Sequence, residues 1–446
     1  MRENLVSEKR EHMGSPPASV GVIGLGYVGL PLLLAFRRAG LRVTGVDIDP
    51  EKIRLLEAGE TYLSHIPGEE ISRVLASGSV LTTQMEALSE VEAVVIAVPT
   101  PLTDVMTPDL SFIEDTADAL GPHVQPGQLI SLESTTYPGT TREVLIPRLE
   151  EESGLRAGDD FFVAFSPERV DPGQADHDIT EVPKLVSGLG AESLQRAVDL
   201  YSMIVPQVVP CSSLEIAETA KILENLYRAV NIALVNEVKV LADLMELDIW
   251  EIIDAAATKP FGFQAFYPGP GLGGHCLPID PFYLNWRAKT KYGFEMRFVE
   301  LAGKINTGMP SYVVERTRNA LMHKNIPLIG AHILLLGMSY KRDISDIRES
   351  PGLELVSLFE DRERATVSFH DPFIPVIPQT RKFPQLAGRE SVDLDTQVLE
   401  AADAVVISTD HSNVDYQLVG EHASLIVDTR NVMKGVAEVR AEIVKA

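Results

Sequence analysis

Short, almost wholly apolar runs alternate with amphipathic stretches through the first half of the chain. Ser19–Ile23, Arg42–Val46, Val80–Thr82, Ala93–Val98, Leu129–Leu132 and Phe161–Phe165 read as strands buried on both faces, and Lys184–Ser187 and Gln207–Val209 are weaker runs of the same kind. A helical segment, Leu30–Ala39, follows the first run and is closed by Gly40. Alternation of this kind predicts a parallel sheet with helices on both faces. A second series begins later: strands at His332–Leu336, Thr366–Phe369, Ala404–Ser408 and Leu425–Val427, with a helix at Gly352–Glu363. Between the two series, 49 residues from Cys211 to Lys259 contain neither glycine nor proline. Ile216, Leu223, Leu226, Val230, Leu234, Val238 and Leu241 recur there at helical spacing. Ser212 and Glu215 form an S-x-x-E start, and Asp248 is placed to cap a second helix, Ile249–Ala257. A further helix is expected over Pro310–Met322. A helix as long as the central one suggests both a spine between two sheet domains and a surface for a second copy of the chain.

Composition narrows the partners. At 446 residues the chain is long enough for several cores, and a formal net charge of −25 argues against nucleic acid or an anionic membrane surface as a main partner. Anionic ligands must then be met by local cations and helix N-termini. The first 17 residues are charged and then turn-rich, reading as a disordered leader without a signal-peptide core. No run approaches a membrane span. Cys211 and Cys276 stand 65 positions apart with no C-x-x-C, which fits a reducing cytoplasm and offers neither a disulfide framework nor a metal site.

Chemistry gathers at the predicted strand ends. The first strand runs into Gly24-Leu25-Gly26-Tyr27-Val28-Gly29 and a helix, and the second strand ends at Asp47. Strand, G-x-G-x-x-G, helix, strand and acid is the dinucleotide fingerprint: the early glycines admit a pyrophosphate, the last lets helix and strand pack, and Asp47 holds an adenine ribose. The fold class is therefore α/β, with two Rossmann-like doubly wound domains joined by a long central helix. Because Asp47 would repel a 2′-phosphate, NAD is favoured over NADP, with Arg42 and Lys52 close enough to bear on that choice. Three polar turns fall at the carboxyl ends of later strands: Pro99-Thr100-Pro101, Glu133-Ser134-Thr135-Thr136 and Ser166-Pro167-Glu168-Arg169. Such turns are common structural punctuation, but their shared position is also where ligands bind in this architecture.

Pro268–Pro281, PGPGLGGHCLPIDP, turns tightly around Cys276 and sets Asp280 four residues beyond it. Taken alone, Cys276 reads first as a small core residue, the usual fate of a lone cysteine in a long chain, and only second as a presented nucleophile. Lys221 and Asn225 lie one turn apart on the central helix, as a solvated pair or as a face turned to that loop. The second sheet lacks G-x-G-x-x-G; Lys341, Arg348 and Arg430 follow its predicted strands, where cations can meet a diphosphate.

Together, Gly24–Pro31, Glu133–Thr135, Ser166–Glu168, Lys221 with Asn225, Gly273–Asp280 and Tyr340–Ser350 resemble the UDP-glucose/GDP-mannose dehydrogenase family, in the family's order, from about Val20 to the C-terminus. The run from Lys259 to Cys276 resembles the branch acting on UDP-N-acetylhexosamines, UDP-N-acetylglucosamine above all; Ile279 before Asp280 departs from the lysine more usual in the UDP-glucose branch. The resemblance implies an NAD-binding domain over 18–210, a central dimerising domain over 211–322 and a UDP-sugar domain over 323–446, acting as a homodimer or higher oligomer. It implies a four-electron oxidation of the sugar C6 alcohol, with two NAD⁺ consumed in turn. Cys276 would be the nucleophile; Lys221 and Asn225 would stabilise oxyanions; Glu168 and Asp280 would move protons, and Thr135 would position water. Gly24, Gly26, Tyr27, Val28, Gly29, Asp47, Lys52, Thr100, Thr135 and Arg348 would meet the cofactor. Glu168, Arg169, Lys221, Asn225, Phe263, Tyr267, Gly271, Gly273, Lys341 and Arg430 would meet the substrate. An epimerase or reductase of the Tyr-x-x-x-Lys type is disfavoured, since no tyrosine is followed by lysine at that spacing.

Overall fold

The computed structural model describes residues 16–63, 66–76, 78–103, 107–169, 182–274 and 277–446. It divides into two compact units: the chain up to Glu224 with Phe282–Phe294, and Asn225–Pro281 with Glu295–Ala446. In the first unit β1 (Ser19–Ile23), β2 (Arg42–Val46), β3 (Val80–Thr82), β4 (Ala93–Ile96), β5 (Leu129–Leu132), β6 (Phe162–Phe165), β7 (Lys184–Gly188) and β8 (Val208–Pro210) form one sheet in the order β3-β2-β1-β4-β5-β6-β7-β8. β1, β4, β5 and β6 are buried along their whole length, as continuous apolar runs require when helices cover both faces. The sheet is not wholly parallel, contrary to the expectation from alternation: β7 runs antiparallel to β6, with Phe165 opposite Ser187 and Ala164 opposite Gly188. Two apolar layers result, one centred on Phe36, Leu32 and Tyr201, the other on Leu88, Phe161 and Phe165.

Helix α1 (Gly29–Arg38) opens directly after the glycine loop, and further helices connect the strands of this unit: α2 (Pro50–Glu57), α3 (Gly68–Ala76), α4 (Ser111–Leu120), α5 (Ile146–Ser153) and α6 (Gly190–Tyr201). Asp49 caps α2 by accepting the Glu51 amide. The long helix α7 spans Leu214–Leu244, and its starting cap is one residue later than expected: the Ser213 hydroxyl, not that of Ser212, accepts the Ile216 amide. Glu215 pairs with Arg142 instead of completing a capping box.

The two sides of α7 are unlike an ordinary amphipathic helix. Its buried side carries Glu218, Lys221, Asn225, Asn236 and Lys239 among alanines. Leu223, Leu234 and Leu241 are 59%, 55% and 55% exposed, so part of the periodic apolar stripe faces outward. The solvated-pair alternative for Lys221 and Asn225 is thereby overturned, at 7% and 2% exposure. Helix α8 (Ile249–Ala257) begins as expected, with Asp248 accepting the Trp250 amide at 3.0 Å.

After α9 (Asp280–Tyr292) comes α10 (Arg297–His323), which starts 13 residues before the expected Pro310 boundary. Proline forfeits one intrahelical bond there, and tertiary burial of Met309, Pro310, Val313 and Val314 holds the helix through it. The second sheet orders its strands β10-β9-β11-β12-β13: β9 (His332–Leu336), β10 (Thr366–His370), β11 (Ala404–Ile407), β12 (Leu425–Asp428) and β13 (Glu442–Lys445). All of its pairings are parallel. Helix α11 (Pro351–Ser357) is capped by Ser350. No described helix is long and apolar enough to cross a membrane.

Candidate active site

The glycine loop of the first unit meets the steric demands of a dinucleotide site. A Cβ on Gly29 would stand 1.8 Å from the Gly24 carbonyl oxygen, and one on Gly24 would stand 2.5 Å from that of Ala97. Those two glycines are required by the fold itself. At Gly26 a Cβ would meet nothing within 4 Å, so the protein's own packing leaves this approach open. Backbone exposed there, beside the N-terminus of α1, fits a pyrophosphate. Tyr27 and Val28 are half-buried around the turn. Asp47, 4% exposed, accepts the Leu25 amide at 2.8 Å and the Asp49 amide at 3.0 Å, and pairs with Lys52 at 3.0 Å. The acid expected to hold a ribose thus also fastens the glycine loop.

The three polar turns all lie in this unit. Thr100 is buried and its carbonyl accepts the Tyr283 hydroxyl at 2.6 Å. Ser134 donates to the Val98 carbonyl at 2.8 Å, joining the β4 and β5 turns, while Thr135 beside it stays half-buried. Arg169 is held by Glu224, at 2.6 Å through one guanidinium nitrogen and 3.2 Å through another, and donates to the Pro183 carbonyl at 2.6 Å. Glu168 meets a residue that sequence reasoning passed over. Lys184, 4% exposed, pairs with Glu133 at 2.7 Å and with Glu168 at 3.4 Å. Burial pushes Glu133 up to about 7 against the pull of the ammonium. Burial alone would depress Lys184, but the Glu133 and Glu168 carboxylates outweigh it and raise its proton affinity. The only sequence signal was a lysine opening an otherwise apolar strand.

Lys221 lies in this unit as well, on the buried side of α7, and makes no ion pair among the described residues. Asn225, one turn further along, belongs to the second unit, where its amide donates to Asp280 at 2.6 Å with both groups buried. That contact joins two positions 55 residues apart. Cys276 lies outside the described residues.

The approach to Asp280 is packed against the second sheet's loops. A Cβ on Gly273 would sit 2.3 Å from the Tyr340 Cβ, and the Gly274 amide donates to the Arg348 carbonyl at 2.8 Å. Gly271 is wedged between Pro310 and Pro351, with φ of +143°. Close protein packing is therefore one cause of this glycine run. Arg430 abuts Gly269 and donates to the Ser408 carbonyl at 2.9 Å. Arg348 is held by Asp346 at 2.6 Å. Lys341 is half-buried on the loop after β9, which Asp371 shapes by accepting the Met338 and Ser339 amides. Phe263 and Tyr267 are exposed, and the Tyr267 hydroxyl donates to Asp254 at 3.0 Å.

Three domain profiles match the chain in order: the NAD binding domain of the UDP-glucose/GDP-mannose dehydrogenase family over residues 18–205, its central domain over 215–308 and its UDP binding domain over 334–435. The chain belongs to this family and is an NAD-dependent nucleotide-sugar 6-dehydrogenase. It is 35% identical to a UDP-N-acetyl-D-glucosamine 6-dehydrogenase from Pseudomonas aeruginosa, over 76% of this chain and 79% of that one. It is also 35% identical to a UDP-N-acetyl-D-mannosamine dehydrogenase from Pyrococcus horikoshii, over 93% and 96% of the two chains. A solved structure of UDP-N-acetyl-D-mannosamine dehydrogenase from Pyrococcus horikoshii superposes with a TM-score of 0.84 at 32% identity, covering 95% of this chain and 98% of that one.

Proposed function

We propose that the chain oxidises the C6 hydroxyl of a UDP-N-acetylhexosamine, with UDP-N-acetylglucosamine as the preferred sugar, to the UDP-uronate in a four-electron reaction. The carrying observation is the buried Asn225–Asp280 hydrogen bond at 2.6 Å, which fixes a carboxylate and an amide at the end of the Cys276 loop. NAD⁺, when bound, supplies the hydride acceptor for both oxidations. In the first, a carboxylate takes the C6 hydroxyl proton as the carbon loses hydride, leaving an aldehyde. Cys276 then adds as thiolate to the aldehyde carbon, forming a C–S bond and an alkoxide. The Lys221 ammonium and the Asn225 amide stabilise that charge. Loss of the second hydride gives a thioester. Attack by water breaks the C–S bond and releases the carboxylate, with Glu168 and Asp280 moving the protons and Thr135 orienting the water.

Asp47 and the Gly26 turn would hold the cofactor, with Lys52 and Thr100 in the same unit; the family resemblance adds Arg348 to the cofactor contacts. Lys341, Arg430 and Arg169 would meet the UDP-sugar, and Phe263 and Tyr267 would sense the N-acetyl group. The outward apolar stripe of α7 supports a homodimer. The substrate is tested by following NADH with UDP-N-acetylglucosamine, UDP-N-acetylmannosamine, UDP-N-acetylgalactosamine and UDP-glucose. The first should give the highest kcat/KM, and a higher value for any other sugar replaces it as the substrate.

A further inference from the structure

Lys184 opens β7, yet its ammonium lies at the carboxyl ends of β5 and β6, beside Glu133 and Glu168. The antiparallel register explains this. Phe165 faces Ser187, so continuing the two strands toward the β6 carboxyl end brings position 168 opposite position 184. The Ser166 hydroxyl, donating to the Leu185 carbonyl at 2.9 Å, ties the two segments between those points. A parallel β7 would have placed the lysine at the amino ends of the neighbouring strands. A lysine this deeply buried is costly unless matched by opposite charge, and here one ammonium serves two carboxylates.

Glu133 is fully buried, with Oε2 on Lys184 at 2.7 Å and the Tyr201 hydroxyl also acting on its carboxylate. Tyr201 closes the cluster from below. Its ring lies under the Lys184 ammonium at 5.2 Å, and its hydroxyl shares a 2.8 Å hydrogen bond with Ser131. Glu168 is more accessible and takes the Arg169 amide on its other oxygen at 2.8 Å. Two members of the cluster are thus sealed in protein, while the third reaches the end of the sheet where this architecture binds its ligands.

We propose that Lys184 and Glu133 are positioning residues for Glu168: Glu133 anchors the ammonium, and the ammonium fixes the orientation of the Glu168 carboxylate for proton transfer. The inference rests on the reading of Glu168 as a proton-transfer group. Mispositioning such a group by about an ångström lowers rate by roughly 100-fold.

The test is a double-mutant cycle on the full chain, reading kcat with NAD⁺ and UDP-N-acetylglucosamine, calorimetric affinities for NAD⁺ and UDP, and the melting curve. Lys184→Met should lower kcat by roughly 100-fold, with both affinities within about threefold of wild type. Lys184→Arg should recover part of the loss. Placed in a Glu168→Gln background, Lys184→Met should cause no further loss, because the group it positions is already disabled. If Lys184→Met does not fold, the isosteric Glu133→Gln replaces it, with a smaller loss that also vanishes in the Glu168→Gln background. Equal losses in both backgrounds, or a wild-type kcat for the variant, overturn the proposal while leaving the role of Glu168 standing. Full activity of Glu168→Gln removes the role of Glu168 and this proposal with it.

Discussion

Asp47 has more contacts than a ribose-binding acid needs, since its carboxylate also secures the Leu25 and Asp49 amides and Lys52. Replacing it by serine should weaken NAD affinity by about 10- to 100-fold, the value of a lost charge-assisted hydrogen bond, and leave UDP affinity unchanged. Titration calorimetry with each ligand checks this, and unchanged NAD affinity would show the ribose contact is misplaced. Glu133 supports a prediction about pH. Its folded value of about 7 lies above the ordinary 4.5, so the folded chain retains a proton that the unfolded chain has already released between those values. The stability it contributes is present below 4.5 and lost as pH rises through about 7. Glu133→Gln cannot titrate, so its melting temperature relative to wild type should rise between about pH 5 and about pH 8, on the order of a few °C. A constant difference would contradict the buried titration. Asp47 was legible because a fingerprint surrounds it. Lys184 was not, because a lysine opening a strand looks exposed until an antiparallel neighbour buries it.

Among the elements, β1, β2, β5 and β9 begin and end where the apolar runs do, since mostly buried parallel strands leave little freedom in composition; β3 does so too, although it lies at the sheet edge with only Leu81 buried. Strand β13 escaped because Glu442–Lys445 has only two apolar residues, Ile443 and Val444, between charged ends at the sheet edge, and α10 was truncated because Pro310 reads as a helix start. Helix α7 was visible as an unbroken interval, but its inner side was not, because buried lysine and asparagine look like surface residues. Its exposed leucines carry the prediction for assembly. The proposed dimer should give way to monomer in light scattering on Leu234→Glu with Leu241→Glu; a wild-type monomer would contradict the dimer, and a dimer unaffected by both would locate the interface elsewhere. The Asp248 cap supplies a local check: Asp248→Ala should lower unfolding free energy by about 1 kcal/mol in urea melts, at little cost in kcat.

At the scale of the whole molecule, the residues proposed for catalysis fall in both units. Thr135, Glu168 and Lys221 belong to the first, and Asn225 and Asp280 to the second. Sequence order alone could not show that Asn225 and Asp280 meet, because 55 residues separate them, yet the family's motifs named both. The glycine run before Cys276 was legible as a close approach, but its partners Tyr340, Pro351 and Arg430 come from a distant part of the chain. The central claim is a double oxidation at one carbon through a thioester, and it is tested most directly by counting NADH formed per UDP-N-acetylglucosamine consumed to completion. The account predicts two NADH and a UDP-uronate, with Cys276→Ser failing to produce the uronate. One NADH per sugar with accumulating aldehyde in the wild type, or full uronate formation by Cys276→Ser, would contradict it.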